Sequence, residues 1–257
     1  TQAGGATVYE PDGQTYQASY ECLYQKTQKY NEQGERYFPY SFDVFETRHP
    51  IFFYVDAHGA IVPFVSREIV PPAEKAKPVI YLYPTKTTEV HVALNPDGGF
   101  TKTVPLYGSG WDVIAKPSGA LTNVARGAAY PYLFWEGGGA GVTPTPEKGF
   151  VVSKSDVPSF LVKTLAEFGL NQKEIGDFTD FWVPKLSTAP YYFITFVDRA
   201  DIDRTAPLSV TPAPDTVIRV LMDYRPLDKK ISVEPLPISK TERQGFTVVE
   251  WGGVLRK

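Results

Sequence analysis

Residues 130 to 139 read Tyr130-Pro-Tyr-Leu-Phe-Trp-Glu-Gly-Gly-Gly139, and residues 246 to 253 read Phe246-Thr-Val-Val-Glu-Trp-Gly-Gly253. Each stretch is an aromatic or β-branched run that ends in Trp, Glu and a cluster of glycines. Aromatic and β-branched residues are enriched in strands, and glycines mark bulges and strand ends. Both stretches therefore predict β-strands. The carboxylate near each strand end is either structural or chemical, and the pattern leaves both readings open.

The composition is that of a folded β-rich protein. The 257 residues can bury a substantial core, as one large β domain or as two smaller ones. Apolar residues make up 42% and charged residues 21%, which is an ordinary balance for a globular chain. The 16 Tyr, 16 Phe and 23 Pro favour pleated strands joined by proline-containing turns over a helical protein.

Charge and cysteine content exclude several classes of function. The net charge is −3 and no basic stretch stands out, which argues against nucleic-acid binding. A single Cys allows neither an intramolecular disulfide nor a cysteine zinc cluster. No apolar run reaches about 18 residues, so no transmembrane segment is predicted. The chain begins at Thr1, which is either a mature end left by signal cleavage or the end of a shortened chain.

Proline positions divide the chain. Residues 1–70 predict an N-terminal β segment, with a hairpin formed by 51–55 and 61–65. Residues 71–78 have prolines at both ends and charges between them, which is typical of a linker. The remaining 79–257 predict a β-rich domain, and residues 198–203 within it predict an acidic loop.

The fold class predicted for the chain is mainly β, in the α+β sense. Short strands at turn-marked intervals after residue 79 are the signature of a sandwich-like antiparallel domain. Two helices interrupt it, near residues 156–168 and 172–183. The first has Ser155 or Asp156 as its N-cap, and the second has Asn171 followed by Glu174, the spacing of a capping box. The two-helix insertion is expected to pack over the sheet.

Five motifs of the domain resemble those of a bacterial protein family of uncharacterised function. They are Lys77-Pro-Val-Ile-Tyr-Leu-Tyr-Pro84, Gly110-Trp-Asp-Val-Ile-Ala-Lys-Pro117, Tyr132-Leu-Phe-Trp-Glu-Gly137, Pro214-Asp-Thr-Val-Ile-Arg219 and Val248-Val-Glu-Trp-Gly-Gly253. The resemblance covers about residues 77 to 257 and implies one structural unit from Lys77 onward. It implies no catalytic or binding residues.

One enzymatic hypothesis uses Glu136 and Glu250 as a carboxylate pair. Two carboxylates brought together can separate their pKa values and act as general acid and as base or nucleophile. Glycosidases use such a pair at separations of about 5–5.5 Å or 6.5–9.5 Å. The alternative is structural: each Glu accepts hydrogen bonds from backbone amides, or pairs with Arg219 or Arg126, and fixes a turn.

A metal site is the next hypothesis. Asp198, Asp201 and Asp203 lie close together in sequence and offer oxygen ligands for Ca²⁺. The glycine and closing glutamate of an EF-hand loop are missing, so a solvated acidic loop is the alternative. No other cofactor is expected.

A binding or structural role is the competing class of function, and the sequence favours it. Trp135, Trp251, Trp111 and Tyr132 are the candidate binding residues, since aromatic rings on a β scaffold offer rigid contact surface. The expected partner is a glycan or a protein, and the expected location is extracellular or in the cell envelope. The sequence leaves the oligomeric state open.

Overall fold

A computed structural model of the protein describes residues 73–97, 99–138 and 148–256 without interruption. It also describes shorter stretches before them, which are residues 2–3, 6–10, 12, 17, 29–30, 36–37, 42–47, 51–55 and 61–65. None of the helices in these parts of the chain is long and apolar enough to cross a membrane.

The N-terminal part carries a small antiparallel sheet. Its four strands, in spatial order, are β1 (Gln2–Ala3), β2 (Ala6–Tyr9), β5 (Ile51–Val55) and β6 (Ile61–Val65). Two further strands, β3 (Lys29–Tyr30) and β4 (Arg36–Tyr37), pair with each other, and helix α1 spans Phe42–Thr47. The predicted hairpin is present, with Ile51 opposite Val65 and Val55 opposite Ile61.

Seven strands form the central sheet. Named along the chain, they are β7 (Ala73–Tyr83), β9 (Phe100–Val104), β13 (Leu133–Gly138), β14 (Phe150–Ser153), β15 (Tyr191–Phe196), β17 (Thr216–Leu227) and β18 (Thr247–Arg256). Their spatial order is β14-β15-β17-β18-β7-β13-β9. All neighbours are antiparallel except β17 and β18, which run parallel.

A second, five-stranded antiparallel sheet packs on one face of the central sheet. Its spatial order is β12-β11-β10-β8-β16, and its strands are β8 (Thr88–Leu94), β10 (Trp111–Ala115), β11 (Leu121–Asn123), β12 (Ala129–Tyr130) and β16 (Leu208–Thr211). The core between the sheets includes Ile80 and Trp135 from one sheet, and Val92 and Trp111 from the other. The sandwich-like fold predicted from the sequence is confirmed.

Two helices cover the opposite face of the central sheet. They are α2 (Val157–Glu167) and α3 (Gln172–Trp182), where the sequence predicts them. Along β7, Val79 and Tyr81 pack under the helices, whereas Ile80 and Leu82 pack against the second sheet. Because both faces of β7 are covered, its apolar run is continuous rather than alternating.

Local sequence determines how each of these helices begins. Asn171 and Glu174 form the predicted capping box: the Asn171 side chain accepts from the Glu174 amide at 3.0 Å, and Glu174 accepts from the Asn171 amide at 2.8 Å. Asp156 is the N-cap residue of α2, but its side chain makes no capping hydrogen bond. It accepts a hydrogen bond from the Ser153 hydroxyl at 2.6 Å instead.

Two segments differ from their predicted conformation. Residues 198–203 are not a loop, because Asp198 caps helix α4 (Arg199–Thr205), which buries Ile202 against the sheet. Residues 73–78 of the predicted linker belong to β7, where Lys77 takes φ +47° close to a shift in register against β18. Residues 71–72 lie outside the described residues, and the domain boundary stays a prediction.

Candidate functional site

Glu136 and Glu250 lie on opposite faces of the central sheet. Glu250 accepts a hydrogen bond from the Trp135 indole at 2.9 Å, on the face that packs against the second sheet. Glu136 follows Trp135 in β13, and its pairing with Lys102 of β9 is regular up to that point. Successive side chains of a strand point to opposite faces, so Glu136 points to the face with the helices. The structure therefore does not bring the two carboxylates together.

Glu250 is instead half of a buried ion pair. Arg219 of β17 lies directly opposite Glu250 in the parallel ladder, and its Nε donates to Glu250 Oε2 at 2.6 Å. The two side chains are 1% and 6% exposed. Since Trp135 donates to the other oxygen, both carboxylate oxygens have partners. This is the structural alternative that the sequence offers for Glu250.

The ion pair continues to helix α4. Arg219 Nη1 donates to Asp203 Oδ1 at 2.8 Å, and Arg199 Nε donates to Asp203 Oδ2 at 2.7 Å. Burial acts to lower the pKa of Arg219, but Glu250 and Asp203 outweigh it and hold that pKa above its ordinary value. Burial acts to raise the pKa of Asp203, but hydrogen bonds from Arg219 and Arg199 outweigh it and lower that pKa. The network thus connects α4 to β17 and β18 through ion pairs in which each positive charge has a negative partner.

The space at the Glu250 end of this network is too small for a substrate. A cavity of about 10 Å³ adjoins Arg219, Glu250 and Trp135, with Gly252 and Pro78 on its other side. This volume corresponds to about one water molecule. At Glu250 the network is therefore packed as a structural ion pair rather than as an active site. A separate cavity of about 350 Å³ adjoins Arg199 and Arg219 at the other end of the network.

The predicted aromatic binding residues belong to the core. Trp111, Trp135 and Trp251 are at most 1% exposed. The Trp111 indole donates to the carbonyl of Pro105 at 2.9 Å. Tyr132 is half-buried and meets the ring of Tyr81 edge-on at a centroid distance of 5.4 Å. The three indoles thus offer no contact surface to a glycan or to a protein.

The predicted calcium ligands are engaged in helix α4. The Asp198 side chain accepts from the amide of Ala200 at 2.8 Å, and Asp201 pairs with Arg204 at 2.9 Å. Asp203 is held by the arginines of the network described above. Within the described ranges, no group of three or more His, Cys, Asp or Glu residues is arranged to hold a metal ion.

An open groove runs beside β14, at one edge of the central sheet. Its volume is about 920 Å³, within the range of ligand-binding clefts. One wall is β14, another is α2 with Ser159, Phe160 and Lys163, and residues 230–235 together with Tyr191 of β15 complete the lining. The floor and walls combine apolar rings with hydroxyl and ammonium groups. This groove is the candidate functional site.

Comparison of the chain with protein-family models, with curated proteins and with solved structures gave no match. The resemblance to an uncharacterised bacterial family therefore stays a prediction from the motifs.

The sequence contains little that marks β14 or the groove. Residues 149–152 read Gly-Phe-Val-Val and lead into α2. The edge position of β14 depends on its pairing with β15, some 40 residues later in the chain. One local signal is Ser153-Lys-Ser-Asp156, a polar turn in which the Ser153 hydroxyl donates to Asp156.

Proposed function

We propose that this chain is a binding protein that recognises a protein partner, and that the groove beside β14 is the recognition site. The observation that carries the proposal is the position of the groove at the outer edge of β14, where among the described residues the backbone bonds to Glu234 at Gly149 but has no partner at Val151. Edge strands present unpaired backbone groups, which proteins use for recognition when a groove gives access to them.

The lining of the groove supports a protein partner. Phe150 and Phe160 lie with ring centroids 5.1 Å apart and are both half-buried, so they offer an apolar surface at the sheet edge. Lys163 is 80% exposed on α2 and supplies a charged rim. An apolar centre with a polar rim is the general pattern of protein interfaces. A glycan partner loses its main support, since the tryptophans predicted to stack on sugars are buried.

The experiment screens the full chain against a random dodecapeptide library and against an oligosaccharide array. Variant Ser159→Arg fills the groove from an exposed position on α2. Variant Val162→Arg is the matched control, because Val162 is 48% exposed on the same helix and does not line the groove. We expect peptide binding that falls at least tenfold in Ser159→Arg and is unchanged in Val162→Arg.

Three results would count against the proposal. Binding of oligosaccharides without peptides would change the class of partner. If both arginine variants lose binding equally, the groove is not the binding site. The same conclusion follows if both variants bind as well as the parent. A location outside the cell or in the envelope is part of the same proposal, and fractionation of cells that produce the protein tests it.

A further inference from the structure

We infer that the groove binds an extended, acidic peptide segment of the partner, which pairs with β14 as an additional strand of the central sheet. This inference rests on the function proposed above and adds the conformation and the charge of the ligand. It is carried by the direction of the backbone groups of β14 and by the charges of the groove.

Hydrogen bonds at both ends of β14 show which backbone groups face outward. The amide of Lys154 donates to the carbonyl of Pro190 at 3.0 Å, on the side of β15. The amide of Gly149 donates to the carbonyl of Glu234 at 2.9 Å, on the opposite side. Backbone groups alternate along a strand with a period of two. The N–H and C=O of Val151 therefore point away from β15, into the groove.

Val151 has no backbone partner on its outer side among the described residues. Residues 230–235 reach the sheet edge with a single bridge among the described residues, between Lys148 and Glu234, and otherwise line the groove without a backbone hydrogen bond to Val151. The next outward amide, that of Ser153, also has no backbone acceptor in the described part of the chain. A donor and acceptor at Val151 followed by a donor at Ser153 match the ladder of an extended chain. A glycan, which has no peptide backbone, does not supply that spacing of amide and carbonyl groups.

The side chains around these groups define what the added strand carries. A residue paired with Val151 places its two neighbours on the face of Phe150 and Val152, which is the face covered by α2. Those neighbours would lie beside the rings of Phe150 and Phe160, so apolar side chains fit there. When a peptide adds to a sheet as a strand, the backbone hydrogen bonds provide the affinity. Pockets for every second side chain of the peptide provide the specificity.

The charges of the groove favour an acidic ligand. Lys163 and Lys230 line it together with one carboxylate, that of Asp156, which accepts a hydrogen bond from the Ser153 hydroxyl at 2.6 Å, so the lining carries one net positive charge. Lys163 makes a long contact of 3.9 Å with Glu167, and its side chain is 80% exposed. Two cations therefore remain available to a ligand carboxylate.

The test uses the full chain and peptides selected from the random dodecapeptide library. In Val151→Pro the outward N–H is removed while no hydrogen bond to β15 is lost, since proline is tolerated on an edge strand when its missing N–H faces outward. Val151→Thr keeps the N–H and is the matched control. We expect selected peptides to be enriched in Asp and Glu, and Val151→Pro to weaken their binding at least tenfold while Val151→Thr does not. Circular dichroism and thermal melting verify that both variants fold.

The outcomes separate this inference from the proposed function. If Ser159→Arg abolishes peptide binding and Val151→Pro leaves it unchanged, the groove is the site but strand addition is overturned. If the selected peptides are not acidic and the double variant Lys163→Glu with Lys230→Glu binds them equally well, the charge assignment is overturned. If the wild-type chain forms a dimer and Val151→Pro abolishes the dimer, the occupant of the groove is a second copy of the chain, and the peptide assignment is overturned. If no peptide binds the wild-type chain, the inference and the proposed function both fall.

Discussion

Replacing Glu250 with Gln should destabilise the protein strongly, because it leaves the Arg219 guanidinium charged and buried. The Arg219 side chain is 1% exposed, and Glu250 is its nearest carboxylate at 2.6 Å. Removal of one partner of a buried ion pair typically costs about 3–5 kcal/mol. Asp203 still lies 2.8 Å from Arg219, and Gln keeps an acceptor for the Trp135 indole. We therefore expect about 3 kcal/mol, at the lower end of that range.

Urea unfolding, followed by tryptophan fluorescence, measures this change as a shift in midpoint at constant slope. All four tryptophans are buried, so their emission reports on the core. Asp203→Asn is the matched control, because its side chain is 46% exposed and its loss should cost no more than about 1 kcal/mol.

A double variant tests the reasoning further. In Glu250→Gln combined with Arg219→Met both buried charges are absent, so part of the lost stability should return. A Glu250→Gln protein within about 1 kcal/mol of the parent would refute the buried-charge account. The account would also be refuted if adding Arg219→Met to Glu250→Gln lowered stability further, by as much as Arg219→Met lowers it alone, because the two changes would then be independent.

Two further predictions concern the helical face of the sheet. Trp182 is fully buried against Phe178, so Trp182→Ala should lower the free energy of unfolding by about 3–5 kcal/mol, and a loss below about 1 kcal/mol would contradict its place in the core. Burial raises the pKa of Tyr81 and Tyr83 above the ordinary value of 10.0, so both should stay neutral in the folded protein when the unfolded chain ionises. Their contribution to stability is therefore fully present below pH 10.0 and is lost as the pH rises above it. Ultraviolet titration that shows every tyrosine ionising near that pH in the folded state would be incompatible with this.

The elements with strong local signals could be predicted from the sequence. The apolar run of β7 identifies a strand covered on both faces, and the Asn171–Glu174 spacing identifies the start of α3. Helix α4 was harder, because its seven residues contain four charges and bury Ile202 as their main apolar contact. A short polar helix of this kind depends on tertiary packing, which a local pattern does not contain.

The ion pair between Arg219 and Glu250 corresponds to a sequence pattern whose meaning becomes clear only once the strand pairing is known. Residues 216–220 read Thr-Val-Ile-Arg-Val and residues 247–251 read Thr-Val-Val-Glu-Trp. The two segments pair in parallel with Thr216 opposite Thr247, which places the arginine opposite the glutamate. Two matching strands with opposite charges at the same position thus indicate an in-register pair. The carboxylate hypothesis compared Glu250 with Glu136 instead, and alternation along β13 separates those two.

The groove could not be predicted, because it depends on which strand lies at the sheet edge. The order β14-β15-β17-β18-β7-β13-β9 joins strands that are far apart in sequence. Nothing in residues 150–153 distinguishes an edge strand from a central one. Sheet order is a property of long-range pairing, and the binding site follows from it.

Amide hydrogen exchange at Val151 and Val152 tests the central claim most directly. Val152 pairs with Tyr192 on the inner side of β14, whereas the Val151 amide faces the groove. We predict slow exchange at Val152 and fast exchange at Val151 in the free protein, and strong protection of Val151 when a selected peptide is added. Slow exchange at Val151 without peptide would mean that the edge is already occupied. Unchanged fast exchange with saturating peptide would contradict strand addition at this groove.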